Sequence, residues 1–343
     1  MSQFAGESIE KYGYKQELKR ALTFRDLLTY GLIFMVPIAP FGIFGSVYNA
    51  SGGMVALAYV IGMVGMLLTA SSYAAMSKSF PVAGSVYSYA GRGINPGFGF
   101  LAGWVILLDY VLVPTLLYIV AAIAMNTLVS SIPVWAWLII FLIANTFINL
   151  KGIELTAKVN RYFLIGELIV LAIFIVIGVI AVAQGKGNGF SFDAFYNPDT
   201  FSMNLVLGAV SIAVLSFLGF DGIAMLAEEN KEGAQQLGRA MRNALFLAGA
   251  LFIVQTWIAA MLVPNTEGLL SEGDPSGTAF YQAAEVAGGA FLNKLTALAT
   301  AIAWGFANAL VAQAATARLL YAMSRDKQDR KSTRLNSSHV SES

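Results

Sequence analysis

The residues of this sequence that could do chemistry are a few acids set in apolar surroundings. Asp221 lies in SFLGFDGIAMLAEEN (216–230), between Gly219 and Gly222, near the end of an apolar run over residues 203–227. At about 1.5 Å per residue such a run crosses a roughly 30 Å hydrocarbon layer. A charge at that depth costs on the order of 2.5–3.5 kcal/mol, and a glycine inside a helix about 1 more. Both costs are offset if the helix is interrupted and its freed backbone faces a wet, protein-lined cavity. Asp221 then has two readings. It caps the helical segment that follows, or it helps to build the cavity, into which a half-helix starting near Gly222 turns its free amides and positive dipole end.

Asp109, in LLDYVLVP (107–114), should face the bundle interior, because lipid exposure of a carboxylate is costly. With Tyr110 beside it, it could hold an ammonium group by charge and cation–π attraction. The competing reading is a structural hydrogen bond to a hydroxyl on a neighbouring helix. Glu167 is the third acid. Apolar surroundings favour the neutral form of a carboxyl, so it could carry a proton at neutral pH and couple transport to protons. An interfacial ion pair with Lys158 or Arg161 is the alternative. Glu228 and Glu229 read as edge acids paired with Lys231 or Arg239, and Asn308 and Gln313 as helix–helix hydrogen-bonding residues.

The elements that carry these acids follow from composition. The chain of 343 residues is 57% hydrophobic and 12% charged, against about 25% charged for a soluble domain. It reads as an all-α polytopic membrane protein with eight apolar spans, at 27–48, 54–75, 98–119, 134–150, 162–183, 203–227, 244–263 and 291–310, the last running on towards 321. Alternating connections place 19 of the 21 Lys and Arg residues on one side. By the positive-inside rule that side, with the N-terminus, is cytoplasmic. The segment 1–26 carries no cleavable signal pattern. No cysteine is present and the one histidine, His339, lies in the tail, so thiolate and imidazole chemistry are absent from the membrane body. No catalytic residue, cofactor, metal or nucleic-acid partner is expected. An intramembrane protease using Asp109 and Asp221 is the one enzymatic reading left, and a channel or sensor is the other alternative to a transporter.

Span one is interrupted as well. VPIAPFGIFG (36–45) sets Pro37, Pro40, Gly42 and Gly45 in mid-span, and each proline lacks the amide that a helix needs. Breaks in spans one and six, five helices apart, point to inverted repeats around a midplane site. The first repeat is expected over residues 27–183 and an incomplete second, of three spans, over 203–326. The polar ending KQDRKSTRLNSSHVSES (327–343) reads as a non-native tail on a protein that naturally continues past Asp326.

Four blocks carry a family resemblance: FPVAGSVYSYAGRGINPGFGFLAGW (80–104), NLKGIELTAKVN (149–160), SFLGFDGIAMLAEEN and ARLLYAMSRD (317–326). In that order they resemble the amino acid–polyamine–organocation permeases, and residues 94–110 are most similar to the putrescine-importer-like branch. The resemblance implies a twelve-helix fold of two inverted five-helix repeats with discontinuous helices one and six, here truncated after helix eight. It implies secondary active import of amino acids or polyamines by alternating access, with proton coupling or exchange, in the inner (plasma) membrane. It makes Ala39, Pro40, Phe41 and Gly42 the unwound part of helix one and Phe217, Gly219, Phe220 and Asp221 that of helix six, with Asp109 and Tyr110 matching the acid–tyrosine pair of the putrescine-like branch. Two departures stand out. The glycine-serine-glycine-like run that grips a substrate carboxylate is replaced by Ala39-Pro40-Phe41-Gly42, where proline removes a donor. That loss and the three buried acids lean towards a diamine. Helices nine to twelve are also missing, so a chain ending here is not expected to transport by itself.

Overall fold

A computed structural model of the chain describes residues 20–150 and 153–326. The expectations for residues 1–19, for the side chain of Lys158 and for the tail lie outside the described residues. Within them the chain is helical, and its one β-type contact is a parallel bridge between Leu22 and Asn230. Helix α1 (Phe24–Met35) and helix α2 (Pro40–Ala50) form one span, bent by 57°. There follow α3 (Val55–Ser79), α4 (Ser85–Gly93), α5 (Pro96–Leu128), α6 (Val134–Leu150) and α7 (Ile153–Ala183). The second part holds α8 (Met203–Ala213), α9 (Gly222–Met225), α10 (Ala234–Met261), α11 (Thr266–Glu272), α12 (Ala279–Ile302) and α13 (Ala309–Arg325). Six apolar stretches are long enough to cross a membrane, the bent pair makes a seventh, and α6 contributes a shorter apolar helix. Large side chains such as Leu112, Ile143, Phe147 and Val176 point outwards from α5, α6 and α7, as a lipid-facing surface requires.

Local chemistry sets the helix ends. Thr23 and Asp26 close a capping box on α1, Thr23 N donating to Asp26 Oδ2 at 2.9 Å. Asn95 caps α5, accepting from Phe98 N at 3.0 Å, with Pro96 in the first turn where its missing amide is harmless. The same logic corrects the expected position of the break in span one. Pro40 opens α2, so Pro40, Phe41 and Gly42 are helical and the unwound stretch is Val36–Ala39, with Val36 at φ 53°. A proline at the first helical position starts a helix rather than breaking one.

The break strands backbone carbonyls in the interior, and two amide side chains take them up. Asn308 Nδ2 donates to Phe34 O, and Gln255 Nε2 of α10 donates to Pro37 O at 2.9 Å. Helix six is interrupted differently. After α8 a 3-10 turn spans Val214–Phe217, Leu218–Asp221 is a turn, and α9 is only four residues long. The expected half-helix beyond Gly222 is therefore a single turn, because the chain leaves it to run alongside residues 21–22, whose amides donate to Glu229 O at 3.0 Å. Gly219 and Gly222 have a steric reason to be glycine: a Cβ on either would fall within 2.7 Å of the Phe34 ring.

The eighth span starts earlier than its apolar run, at Ala279, and kinks at Gly288 and Gly289. Between α12 and α13 lies a π segment, Ala303–Asn308, whose Gly305 carbonyl accepts from Asn145 Nδ2 of α6 at 2.5 Å. Gly99 and Gly103 serve packing, against Gly91 of α4 and the Tyr87 ring. Replacing Gln255 by Leu strips the Pro37 carbonyl of its donor inside the bundle. Thermal or denaturant unfolding in detergent should show a loss of about 1–3 kcal/mol, and Gln255→Asn should lose nearly as much because its amide is one methylene short.

Candidate solute-binding site

The two interrupted helices meet where the Phe34 ring lies over Gly219 and Gly222. Two small cavities flank this contact. The larger, about 50 Å³, is bounded by the break in span one, by Leu116 and Leu117 of α5, by Leu215 and Ser216, and by Trp304 and Asn308 of the π segment. The smaller, about 10 Å³, is bounded by Asp109, Tyr110 and Pro114 of α5, by Gly219 and by Asn308. Phe34, Val113, Leu218 and Asn308 border both.

The two aspartates differ in how far they are already engaged. Asp221 is 8% exposed and accepts from Tyr110 Oη at 2.7 Å, a bond between α5 and the helix-six turn. It stands at the N-cap position of α9 without a capping hydrogen bond from its side chain, so the simple capping role does not describe it. The amides of Gly219 and Gly222 add electrostatic support. Tyr30, Tyr73 and Tyr89 also lie within electrostatic reach of this carboxylate. Asp109 is half-buried, borders the smaller cavity and has Asp221 as its electrostatic neighbour. It makes no hydrogen bond or ion pair among the described residues. Asp109 thus borders the cavity unengaged by the described residues, and Asp221 is tied into the frame.

The other sequence-derived residues scatter. Ala39 borders the larger cavity and Gly42 packs against the Trp304 ring. Pro40 starts a helix, Phe41 stacks on Phe280 at 4.0 Å, and Phe217 is fully buried against Tyr59 and Phe252; none of the three borders either cavity. Phe220 packs on Tyr73. Glu167 is 3% exposed on α7, and neither carboxyl oxygen has a hydrogen-bond partner among the described residues. Arg161, expected as a partner for it, lies 3.8 Å from Asp26 instead. Glu229 pairs with Arg318 at 2.9 Å rather than with Lys231 or Arg239, and Glu228 accepts from Ala83 N at 3.0 Å. Ser216, Gln255 and Trp304 went unmarked in the sequence, where each is a lone residue in an apolar stretch.

Contacts between distant segments fasten the bundle in two places. Towards the N-terminal side stand the Glu229–Arg318 pair and the strand-like contact of residues 21–22. On the opposite side Asn49 Nδ2 donates to Leu269 O and Leu270 O, at 3.0 and 2.8 Å, fastening α11 to α2. Two interrupted helices that meet inside an all-helical membrane bundle are the arrangement in which carriers hold their solutes.

Sequence comparison agrees with this geometry. The model of a family described as "Amino acid permease" matches residues 32–329. The chain belongs to the amino acid permease family. It is 32% identical over 312 residues to the low-affinity putrescine importer PlaP of Escherichia coli, covering 90% of this chain and 68% of that protein. It is 29% identical over 238 residues to a probable GABA permease of Pseudomonas aeruginosa, covering 66% of this chain and 49% of that protein. The branched-chain amino acid permease BcaP of Bacillus subtilis is 23% identical over 274 residues, 73% of this chain and 56% of that protein. As a permease the chain is a multi-pass membrane transporter.

The Tyr110–Asp221 bond should be measurable as a coupling. In a double-mutant cycle of Tyr110→Phe and Asp221→Asn, followed by unfolding in detergent, the interaction energy should be about 1.5–3 kcal/mol, as for a hydrogen bond to a charged group. A value near zero would show that the contact carries no stability.

Proposed function

We propose that the protein is a secondary active importer of a short diamine, working by alternating access and driven by protons. The observation that carries this reading is Asp109: a half-buried carboxylate without a partner among the described residues, at the edge of a cavity that no described Lys or Arg borders. Such a group selects a cation. The backbone argues in the same direction. Around the start of α2 the amides of Ala39, Phe41 and Gly42 donate to Val36 O, Ile38 O and Ala39 O, and Pro40 has none. Those positions offer no free donor to a carboxylate, which an amino acid would need there. The identity to a putrescine importer supports a diamine, while relatives named for GABA and branched-chain amino acids keep an amino acid as the second reading.

The proton route in this proposal runs through Glu167. A carboxyl shut away from water without a partner is stable chiefly when protonated, and it can release its proton when the bundle opens to one side. The orientation follows the charge asymmetry, with the N-terminus and its 19-residue share of the Lys and Arg in the cytoplasm of a cell bounded by this inner membrane. The two inverted repeats, 27–183 and 203–326, rock against each other around the solute.

Three measurements on the intact protein in proteoliposomes decide the matter. Asp109→Asn should lower labelled putrescine uptake by about 30- to 5000-fold, the worth of a desolvated charge pair at about 2–5 kcal/mol, with protein abundance unchanged. In a competition panel, diamines should displace the label and neutral or acidic amino acids should not; displacement by amino acids alone returns the second reading. Glu167→Gln should leave putrescine binding intact while uptake stops responding to an imposed proton gradient. A gradient response equal to that of the unmodified protein would remove Glu167 from the proton route.

A further inference from the structure

An ammonium on Asp109 accounts for one end of the solute space and leaves the other unassigned. The two cavities share Phe34, Val113, Leu218 and Asn308, so they adjoin across those side chains. Asp109 and Tyr110 border one, and Ile43, Leu117 and Trp304 border the other. Apart from Asn308 the shared wall is apolar, which suits a run of methylene groups.

Trp304 holds its place by volume. A Cβ at Gly42 would come within 2.8 Å of both Trp304 Cη2 and Val120 Cγ1, so the bare backbone of α2 forms the seat of the indole. Behind it, a Cβ at Gly305 would fall 2.7 Å from the Phe141 ring, which closes the wall from the far side. The π segment sets the register that turns Trp304 to this wall, and the Asn145–Gly305 bond secures that register. The indole N–H has no partner among the described residues, so no hydrogen bond fixes the ring. A buried donor left in that state is unfavourable, and Phe would occupy much of the same room without it. The position therefore uses the length and the aromatic face of tryptophan. Near it, Asn308 spends its Nδ2 on Phe34 O and keeps an unpartnered acceptor, Oδ1.

We propose that Trp304 gauges the length of the solute: it fixes how many methylene groups a linear α,ω-diamine can carry while one ammonium stays on Asp109. The second ammonium rests against the indole face by cation–π attraction, with Asn308 Oδ1 as the nearest free acceptor. The gauge rests on the reading of Asp109 as the cation grip, and its failure is separable from the failure of that reading.

The test is a competition series on the intact protein in proteoliposomes, with labelled 1,4-diaminobutane displaced by 1,3-, 1,4-, 1,5- and 1,6-diamines. In the unmodified protein, inhibition should fall by about 10-fold or more for each methylene beyond the preferred length, the usual worth of one methylene in a fitted pocket. Trp304→Ala should move the optimum to a longer diamine by at least one methylene, and Trp304→Phe should move it the same way by less. Gly42→Ala, which pushes the ring into the space, should move it to a shorter one. Should Trp304→Ala fail to fold, the opposite shifts of Trp304→Phe and Gly42→Ala still decide. An unchanged order of diamines in these variants, with all lengths weakened equally, overturns the gauge alone. Full diamine uptake by Asp109→Asn, or no diamine binding by the unmodified protein, overturns the cation grip and the gauge with it.

Discussion

Everything in this bundle depends on how the broken first span satisfies its own backbone. Hydrocarbon supplies no hydrogen bonds, and each orphaned polar group there costs several kcal/mol. Pro37 and Pro40 remove two amides within four residues, so a break is unavoidable and its carbonyls need donors from elsewhere. Asn308 and Gln255 provide them, at Phe34 O and Pro37 O. Those two bonds join α1 and the break to the π segment and to α10. Asn308 also borders both cavities, so one of the two residues that satisfy the break lines the space beside it.

The acids follow from the same frame. Asp221 sits where the helix-six turn and α5 come together, and Tyr110 binds it across that junction. Its charge is used inside the protein. Asp109, one residue before Tyr110 on the same helix, is rotated by about 100° around the axis and lands on the cavity with nothing to bind. A single helical step therefore separates the tyrosine that serves the framework from the acid that borders the cavity. At the two ends, the fastenings differ in kind. Around Glu229 they are an ion pair and backbone contacts, and around Asn49 they are amide-to-carbonyl bonds.

Much of the fold was legible in the sequence, since apolar run length and charge asymmetry report directly on the bilayer. The presence of two breaks was legible too, because proline and glycine act locally. Their extent was not. Pro40 read as part of the break, yet its ring suits the first turn of a helix, and the unwound stretch moved upstream to Val36–Ala39. The second half of helix six read as a full segment, and it shrank to one turn because a partner more than two hundred residues earlier, Leu22, captures the chain beyond it. The pairing of Glu229 with Arg318 and the seat of Trp304 on Gly42 share this character: each joins residues far apart in sequence. Spacing patterns see neighbours along a helix, and they are blind to contacts made only when distant helices pack.

The bond between Asn308 and Phe34 joins residues 274 positions apart, which has a consequence for biogenesis. At about 5–20 residues per second of synthesis, the first span waits on the order of tens of seconds in the bilayer before the donor for its exposed carbonyl exists. Throughout that interval the nascent hairpin of early helices needs a temporary partner for this group, from the insertion machinery, from lipid headgroups or from water drawn into a local defect. The proline-containing first span is accordingly exposed to quality control until the π segment that carries Asn308 has been made.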